Sequence, residues 1–451
     1  MKSVAFLTLG CKVNAYETDK MRQAFLNAGY EIRDFKDQAD VYVVNTCTVT
    51  NMADRKSRQM LHRAKKNNPD SIIVATGCYV DSSAKQGNTD EMIDIPVPNS
   101  QKENLVRLVE EYQRERQGML QDVDTKWDAD IDIEERPNGE TLPGEHTRAY
   151  IKVQDGCNQF CSYCIIPHVR GRLHSRTEED VLKEVSGLAE AGYKEVVVTG
   201  IHLSSYGVDL QGEKNFLKLE GRPLLSLLSA IAGIGGIQRI RLGSLEPRII
   251  TEAFAKKLSG IEKICPHFHL SLQSGCDATL KRMNRHYTTK EYEEKTAILR
   301  KYFELPAITT DVIVGFPGET DEEFYTTESF LRGIGFAEMH IFKYSRRKGT
   351  VADGMEQQIN EQIKTERSGI LLELAQNMKD TYRHTFINKK QKVLWEEKVV
   401  INEKEYFIGH NERYLRIAVL VPESRELSNK ITEVLVTGVL DEDTLEAETV
   451  S

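Results

Sequence analysis

Three cysteines, Cys157, Cys161 and Cys164, fall within the nine residues GCNQFCSYC, in a chain of 451 residues that holds eight cysteines in all. Disulfides use thiols in pairs and a closed tetrahedral zinc site takes four ligands, whereas this loop supplies three, with no histidine completing the usual pattern nearby. A cubic iron–sulfur cluster takes four protein ligands when it only carries electrons. Three thiolates leave one iron with an open position, as catalytic metal sites keep a position for substrate. A structural or zinc-binding set of thiols is the competing reading.

Three more cysteines are scattered, and the elements that precede them explain how they could meet. VAFLTL (4–9), VYVVNT (41–46) and SIIVATG (71–77) read as buried strands, separated by helical patterns at 17–29 and 52–67. Cys11, Cys47 and Cys78 each follow the end of one of these strands. Alternating strands and helices imply a parallel sheet, and in such sheets the loops beyond the carboxyl ends of the strands converge on the binding crevice. A second βα series runs through strands at 148–156, 194–200, 238–244, 267–275, 309–318 and 337–345. Six repeats are too few for a full (β/α)8 barrel and suit a partial one, with the cysteine loop after its first strand on the face where barrel enzymes place their chemistry. After about residue 380 the segments become short and β-branched, as in a small OB-like barrel. The expected fold class is α/β: an N-terminal parallel α/β sheet domain (1–120), an acidic linker (121–145), a central partial (β/α)6 barrel (146–377) and a small all-β barrel (378–446).

The net charge of −9 is concentrated at 122–145, with nine acids and two bases, and at 431–451, with six acids and no base. The remainder is net basic. RKSRQMLHRAKK (55–66), RGRLHSR (170–176), KRMNRH (281–286) and KYSRRK (343–348) together point to a polyanionic partner, although any one of them alone reads first as a solvated helix or loop face. Trp395, Tyr406, Phe407 and Tyr414 are interleaved with basic residues as a nucleic-acid surface would require; the alternative is that they fill the core of a small barrel. No stretch approaches the ~20 apolar residues of a membrane span, and the N-terminus lacks a cleavage-site pattern. The expectation is a cytoplasmic protein with reduced thiols and no membrane partner.

GCNQFCSYCIIPHVRG resembles the signature of radical S-adenosylmethionine enzymes, including the aromatic Tyr163 beside the last cysteine. LGCKVNAYET, VVNTCTVT and GCY, around the three earlier cysteines, resemble the methylthiotransferases, as do YSRRKGTVA (344–352) and GHNERYLRIAV, the latter similar to that family's RNA-binding TRAM domain. The resemblance covers nearly the whole chain. It departs at 81–99, where the family's Val-Gly-Asn-like turn is missing and Pro98 stands instead, which leaves the sheet edge unspecified.

The resemblance implies two 4Fe-4S clusters and S-adenosylmethionine as cofactors. Cys157, Cys161 and Cys164 would hold the cluster that cleaves S-adenosylmethionine to a 5′-deoxyadenosyl radical. Cys11, Cys47 and Cys78 would hold an auxiliary cluster that presents a methylated sulfur, so both clusters must face one cavity. Such chemistry suits a carbon whose hydrogen no side-chain base can remove at neutral pH. The family acts on isopentenyladenosine in tRNA, on threonylcarbamoyladenosine in tRNA, or on an aspartate of a ribosomal protein; TLGCKVNAYET is most similar to the threonylcarbamoyladenosine group. The expected activity is therefore methylthiolation of carbon 2 of threonylcarbamoyladenosine at position 37 of tRNA, consuming two S-adenosylmethionine. A non-enzymatic iron–sulfur RNA-binding sensor is the alternative of another class.

Candidate cofactor contacts at the strand ends are Tyr163, Thr199, Gly200, Glu246, Gln273, Ser274, Val314 and Gly315, the polar ones serving equally well as structural caps. Arg170, Arg172, Arg176, Arg413 and Arg416 are candidates for RNA contact. His202 is read as a structural histidine or a cofactor neighbour, and Cys265 and Cys276 carry no assigned role. The expected partners are tRNA bearing threonylcarbamoyladenosine and an electron donor such as flavodoxin or ferredoxin, with the enzyme itself a monomer.

Overall fold

The computed structural model describes residues 2–85, 87, 90–116, 118, 147–212, 219–420 and 426–450. The acidic linker expected at 121–145 lies outside the described residues. The chain forms two compact bodies.

The first body holds the N-terminal sheet, together with the segments Tyr163–Arg172 and Ser345–Asp353. Its strands are β1 (Ser3–Thr8), β2 (Glu31–Arg33), β3 (Val41–Thr46), β4 (Ile72–Gly77) and β5 (Ile95–Val97). They are parallel throughout, in the order β2-β1-β3-β4-β5. Successive side chains point to opposite faces, which is why nearly unbroken apolar runs form buried strands. Val4, Val41, Val43 and Val74 pack on one face with Phe25 of α1 (Lys12–Asn27) and Val109 of α4 (Leu105–Arg116). Ala5, Tyr42, Val44 and Ala75 pack on the other with Leu61 and Ala64 of α2 (Asn51–Asn67) and Tyr79 of α3 (Cys78–Lys85). The edge left open by the sequence is closed by β5, and Pro98 follows that strand to start the 3-10 turn Asn99–Asn104.

The second body contains β6 (Arg148–Asp155), β7 (His174–Ser175), β8 (Glu195–Gly200), β9 (Arg239–Leu242), β10 (His267–His269), β11 (Ala307–Val314) and β12 (Glu338–Lys343). The groups β7-β6-β8-β9 and β10-β11-β12 are linked by parallel bridges at Ile240–Ile264 and Leu245–Leu270. Six parallel strands thus form the expected partial barrel, with β7 antiparallel at its edge. Ile151, Val196, Val198, Ile240, Leu242, Ile308 and Val312 face the surrounding helices. The alternate residues Arg148, Glu195, Arg239 and Arg241 form a charged network on the opposite face.

The C-terminal strands β13 (Lys390–Ile401), β14 (Lys404–Asn411), β15 (Arg416–Leu420), β16 (Ile431–Val439) and β17 (Thr444–Thr449) close into a barrel in the order β13-β14-β15-β17-β16. Trp395 and Phe407 are fully buried in its core, and Trp395 Nε1 donates to Thr432 Oγ1 at 2.7 Å. Tyr406 is buried in a second small cluster. These aromatics are core residues rather than a stacking surface for bases. Tyr414 instead stacks on His410, with Arg148 and Arg241 over its ring at 5.0 and 4.8 Å.

The charged network joins this barrel to the βα barrel. Arg239 donates to the carbonyls of His410 and Lys392, and Arg241 to those of Glu412 and Asn411. Glu195, fully buried, is the shared counter-ion of three arginines, and their charges, Arg241 foremost, hold its carboxyl down to about 2 against the opposing effect of burial.

Candidate active site and its cysteine triads

The cysteine loop leaves β6 at a left-handed Gly156 (φ 66°). The Gln154 side chain donates to the Gly156 carbonyl at 2.6 Å and accepts from the His202 backbone at 2.7 Å, which ties the loop to the end of β8. A Cβ on Gly200 would stand 2.7 Å from Gln154 Oε1, so this candidate is glycine for close approach. Ser162 clamps the loop from the other side: its N–H donates to the Met283 carbonyl and its hydroxyl to that of Arg282. Between the clamps Phe160 sits at φ 49°, a left-handed conformation costly for a bulky residue and typical of functional loops.

All three thiols of this loop are partly accessible. Arg285 donates to Cys161 Sγ at 3.1 Å, and the Gln159 N–H faces Cys157 Sγ at 3.4 Å. Burial pushes the Cys157 thiol up to about 11, opposed by the Gln159 N–H and the Arg285 charge. Around them stand Glu246, whose Oε1 accepts from Arg248 Nε at 2.7 Å, and Gln159, whose Oε1 accepts from Arg248. His202 is neutral: burial and the charges of Arg285 and Arg248 push its pKa down to about 3. Glu246 Oε2 and His202 Nε2 are buried without a hydrogen-bond partner. Unpaired buried polar atoms are costly, and here two of them accompany three soft thiol donors. That donor set fits an iron–sulfur cluster with a polar, amino-acid-bearing ligand at its open position.

The remaining candidates divide. Thr199 is buried near the end of β8, Glu246 is buried beyond β9 at the start of the 3-10 turn Pro247–Ile249, and Gln273 takes a left-handed φ of 72° beside β11. Ser274 is turned outward to Thr327 of the helix Asp321–Ile334, and Val314 belongs to the apolar core, so neither side chain stands on the barrel's inner wall. Gly315 (φ 70°) is held through its N–H by the Glu319 carboxylate.

In the first body Cys11 precedes α1, Cys47 follows β3 and Cys78 opens α3. With the strand order 2-1-3-4-5, the crevice opens where the chain reverses its winding, between β1 and β3. Cys11 and Cys47 stand at that point. Gly10 (φ 98°) and Gly77 (φ 97°) make the approach possible: a Cβ on Gly10 would lie 2.9 Å from Cys47 Sγ, and one on Gly77 would lie 2.4 Å from the Thr46 carbonyl. Burial pushes the Cys47 thiol up to about 11, and the neighbouring Cys78 and Cys11 add to the shift. Burial also raises Cys78, against the charges of Arg170 and Lys102.

Those two cations belong to a buried lattice. Arg170 donates to both carboxylate oxygens of Glu17 and, at 2.6 Å, to Asn14 Oδ1. Lys102 pairs with Glu17 and donates to Asn45 Oδ1 at 3.2 Å. Asn14 donates in turn to the carbonyls of Leu9 and Thr46, which fixes the loops that carry Cys11 and Cys47. Three thiols with two cations close to Cys78 fit a second cluster of net negative charge.

This geometry corrects several readings. Arg170 is almost fully buried and ion-paired, so it presents no phosphate-binding surface. Arg176 pairs with Glu184, Arg413 donates to the carbonyls of Leu305 and Glu304, and Arg416 to Thr444 Oγ1. Arg172 remains exposed. Of the four basic clusters, three are largely committed to internal partners: Arg282 to Glu323, Arg285 to Cys161, Arg346 to Asp353 and Arg347 to Asp54. The fourth, on α2, keeps Arg55, Lys56, Arg58, Arg63 and Lys66 exposed. Sequence reasoning missed Gln154, Arg248, Lys102 and Glu17; the one available signal was Arg248, two positions after Glu246 in GSLEPR.

Residues 151–331, which include Cys157, Cys161 and Cys164, match the model of the Radical SAM superfamily. Residues 3–96, which include Cys11, Cys47 and Cys78, match the uncharacterized protein family UPF0004. The structure is similar to that of the radical S-adenosylmethionine methyltransferase TsrM from Kitasatospora setae, solved with cobalamin and a 4Fe-4S cluster bound (TM-score 0.51, 16% identity, 78% of this chain and 77% of that one). At such identity the likeness speaks to fold alone. Fold and cysteine loop together define a radical S-adenosylmethionine protein.

The full-length relatives narrow this. The chain is 41% identical to the threonylcarbamoyladenosine tRNA methylthiotransferase MtaB of Bacillus subtilis, over 92% of this chain and 90% of that one. It is 39% identical to MtaB of Aquifex aeolicus, over 93% and 98%. It is also 32% identical to the tRNA-2-methylthio-N(6)-dimethylallyladenosine synthase of Finegoldia magna, over 87% and 83%. The chain belongs to the radical S-adenosylmethionine methylthiotransferase family and is a transferase. Membership implies S-adenosylmethionine and a 4Fe-4S cluster. Among the described residues no helix is long and apolar enough to cross a membrane.

Proposed function

We propose that the protein methylthiolates carbon 2 of N6-threonylcarbamoyladenosine at position 37 of tRNA, with two 4Fe-4S clusters and two S-adenosylmethionine. The observation that carries this reading is the second cysteine triad, at the carboxyl ends of three neighbouring strands of its own sheet, with Cys11 and Cys47 at the switch point. An auxiliary cluster on those thiols would give the inserted sulfur a place to be held. The choice of nucleoside rests on the threonylcarbamoyladenosine-named relatives, which reach 41% and 39%, against 32% and 34% for dimethylallyladenosine-named ones.

When bound, the cofactors supply one-electron chemistry and sulfur, and the chain's residues bind and orient them. Cys157, Cys161 and Cys164 would hold one cluster, Arg285 would offset thiolate charge at Cys161, and Glu246 Oε2 would accept from the amino group of S-adenosylmethionine. His202, neutral and with its Nε2 buried, would add a polar contact without adding charge. Cys11, Cys47 and Cys78 would hold the other cluster above the Arg170–Glu17–Lys102 lattice. The exposed basic face of α2 supports a polyanionic substrate. Flavodoxin or ferredoxin would supply the electron, the enzyme acting as a cytoplasmic monomer.

Nucleoside analysis of tRNA from a strain lacking the gene tests the assignment. Loss of methylthiolated threonylcarbamoyladenosine, with its unmodified precursor accumulating, is the expected result. An unchanged level of that nucleoside overturns it; loss of the dimethylallyl counterpart, or of the modified ribosomal aspartate, reassigns the substrate. Failure of the cluster-loaded protein to release 5′-deoxyadenosine under reducing, anaerobic conditions would reduce it to an iron–sulfur sensor.

A further inference from the structure

One cluster of ligating side chains is used by neither triad. His269 ends β10, Asp311 lies in β11 and His340 in β12, and one donor atom from each lies within 4.8 Å of the other two. The sheet register creates this juxtaposition. Asp311 is paired directly with His340 across the parallel β11–β12 ladder. His269 is paired with Thr309, two residues before Asp311 and therefore on the same face of β11.

The geometry within the cluster is that of a site awaiting a cation. His269 Nδ1 is engaged with Thr309 Oγ1 at 3.0 Å, which fixes the ring and turns Nε2 inward. Nε2 lies 3.3 Å from Asp311 Oδ2, yet it is buried and makes no hydrogen bond. Two ligands on a tetrahedral ion with bonds of 2.0–2.1 Å stand about 3.4 Å apart, so this pair is spaced as two donors to one metal. The His340 ring is stacked on His269 at 6.0 Å and is exposed, which gives an ion a route in.

We propose that His269, Asp311 and His340 bind one divalent first-row transition ion, Zn²⁺ or Fe²⁺. Two imidazoles and one carboxylate favour these ions over Mg²⁺ and Ca²⁺, which prefer all-oxygen sets. Three protein ligands leave a coordination position on the exposed, His340 side. The proposal is independent of the nucleoside assignment and of both cysteine triads.

The test uses the full-length, cluster-loaded protein, stripped of loosely bound metal by a mild chelator, incubated with Zn²⁺ and gel-filtered, with zinc and iron measured in the same sample. The wild type is expected to retain about one zinc per chain, surrounded by nitrogen and oxygen at ~2.0–2.1 Å in X-ray absorption. H340A, an exposed position, and the isosteric D311N are each expected to lose the zinc with iron unchanged. Three results overturn the site: no zinc retained by the wild type, equal zinc in wild type and variants, or zinc surrounded by sulfur. The last would place the metal on the cysteines.

Discussion

The two cysteine triads gather three thiols by opposite routes. Cys157, Cys161 and Cys164 occupy one loop of eight residues, while Cys11, Cys47 and Cys78 come from three βα turns spread over 68 residues. The loop triad needs only a turn at Gly156 and two clamps, from Gln154 and Ser162. The dispersed triad exists only when β1, β3 and β4 are side by side. Its substitute for local connectivity is a buried polar lattice, Asn14–Arg170–Glu17–Lys102–Asn45, that fixes the turns from below. The dispersed site should therefore be the more sensitive to changes in its supporting fold.

Replacing the ligands gives the largest effect and separates the triads. Serine at Cys157, Cys161 and Cys164 together is expected to abolish 5′-deoxyadenosine release and methylthiolation alike. Serine at Cys11, Cys47 and Cys78 should abolish methylthiolation while 5′-deoxyadenosine release persists. Each triple variant should bind about half the iron, roughly four atoms per chain in place of eight. Loss of 5′-deoxyadenosine release in the second variant would break the division of labour drawn here.

Glu195 provides the control, a keystone remote in sequence from both triads. Removing one partner of a buried charge network strands the others, at a cost of about 3–5 kcal/mol. E195Q should lower the denaturant midpoint of the second body, with the first body's iron unchanged. The pH dependence follows in sign. The Glu195 carboxyl is held near 2 in the fold, below the usual ~4.3 of an unpaired glutamate, so its contribution is complete above the latter value. It is lost as pH falls from there towards 2. Acid titration should show E195Q losing this part of its pH dependence; an unaltered acid profile would remove Glu195 as the keystone.

Gly77 tests the dispersed triad more gently. At φ 97°, with the Thr46 carbonyl where a Cβ would go, G77A should cost about 1–3 kcal/mol. It should halve bound iron while 5′-deoxyadenosine release continues. Full iron content in G77A would show that the β4 turn has freedom to yield.

The contrast also governs what could be read from the sequence. The loop triad was visible outright, because its spacing is its geometry. The dispersed triad was visible once the strands had been placed, since strand ends in a parallel sheet converge. The six barrel strands were legible for the same reason, by their buried β-branched runs, although 267–275 is a strand only over His267–His269 before the left-handed Gln273 interrupts it. α1 begins at Lys12 rather than 17, its first turns carrying the polar Asn14 and Glu17 inward to the lattice. What failed was charge. Arg170, Arg285, Arg347 and Arg413 looked like surface because their partners, Glu17, Cys161, Asp54 and two backbone carbonyls, lie far away in sequence. The same blindness hid the Glu195 network, whereas the core reading of Trp395 and Phe407 holds.

That failure shifts the expected RNA footing, and with it the smallest prediction. Truncation near residue 380 is no clean test of the C-terminal barrel, because it would strip Arg239 and Arg241 of the carbonyls they bond. The exposed α2 cluster begins just after Cys47, beside the dispersed triad, and offers surface changes that leave the core intact. If α2 tracks the tRNA backbone, K56A, R58A and R63A should each flatten the plot of log affinity against log salt by about 0.7–0.9, with a few-fold loss of affinity. R413A, whose guanidinium is committed to carbonyls, should leave that slope unchanged. The reverse outcome, a flattened slope in R413A and none in the α2 variants, would move the RNA surface back to the C-terminal barrel.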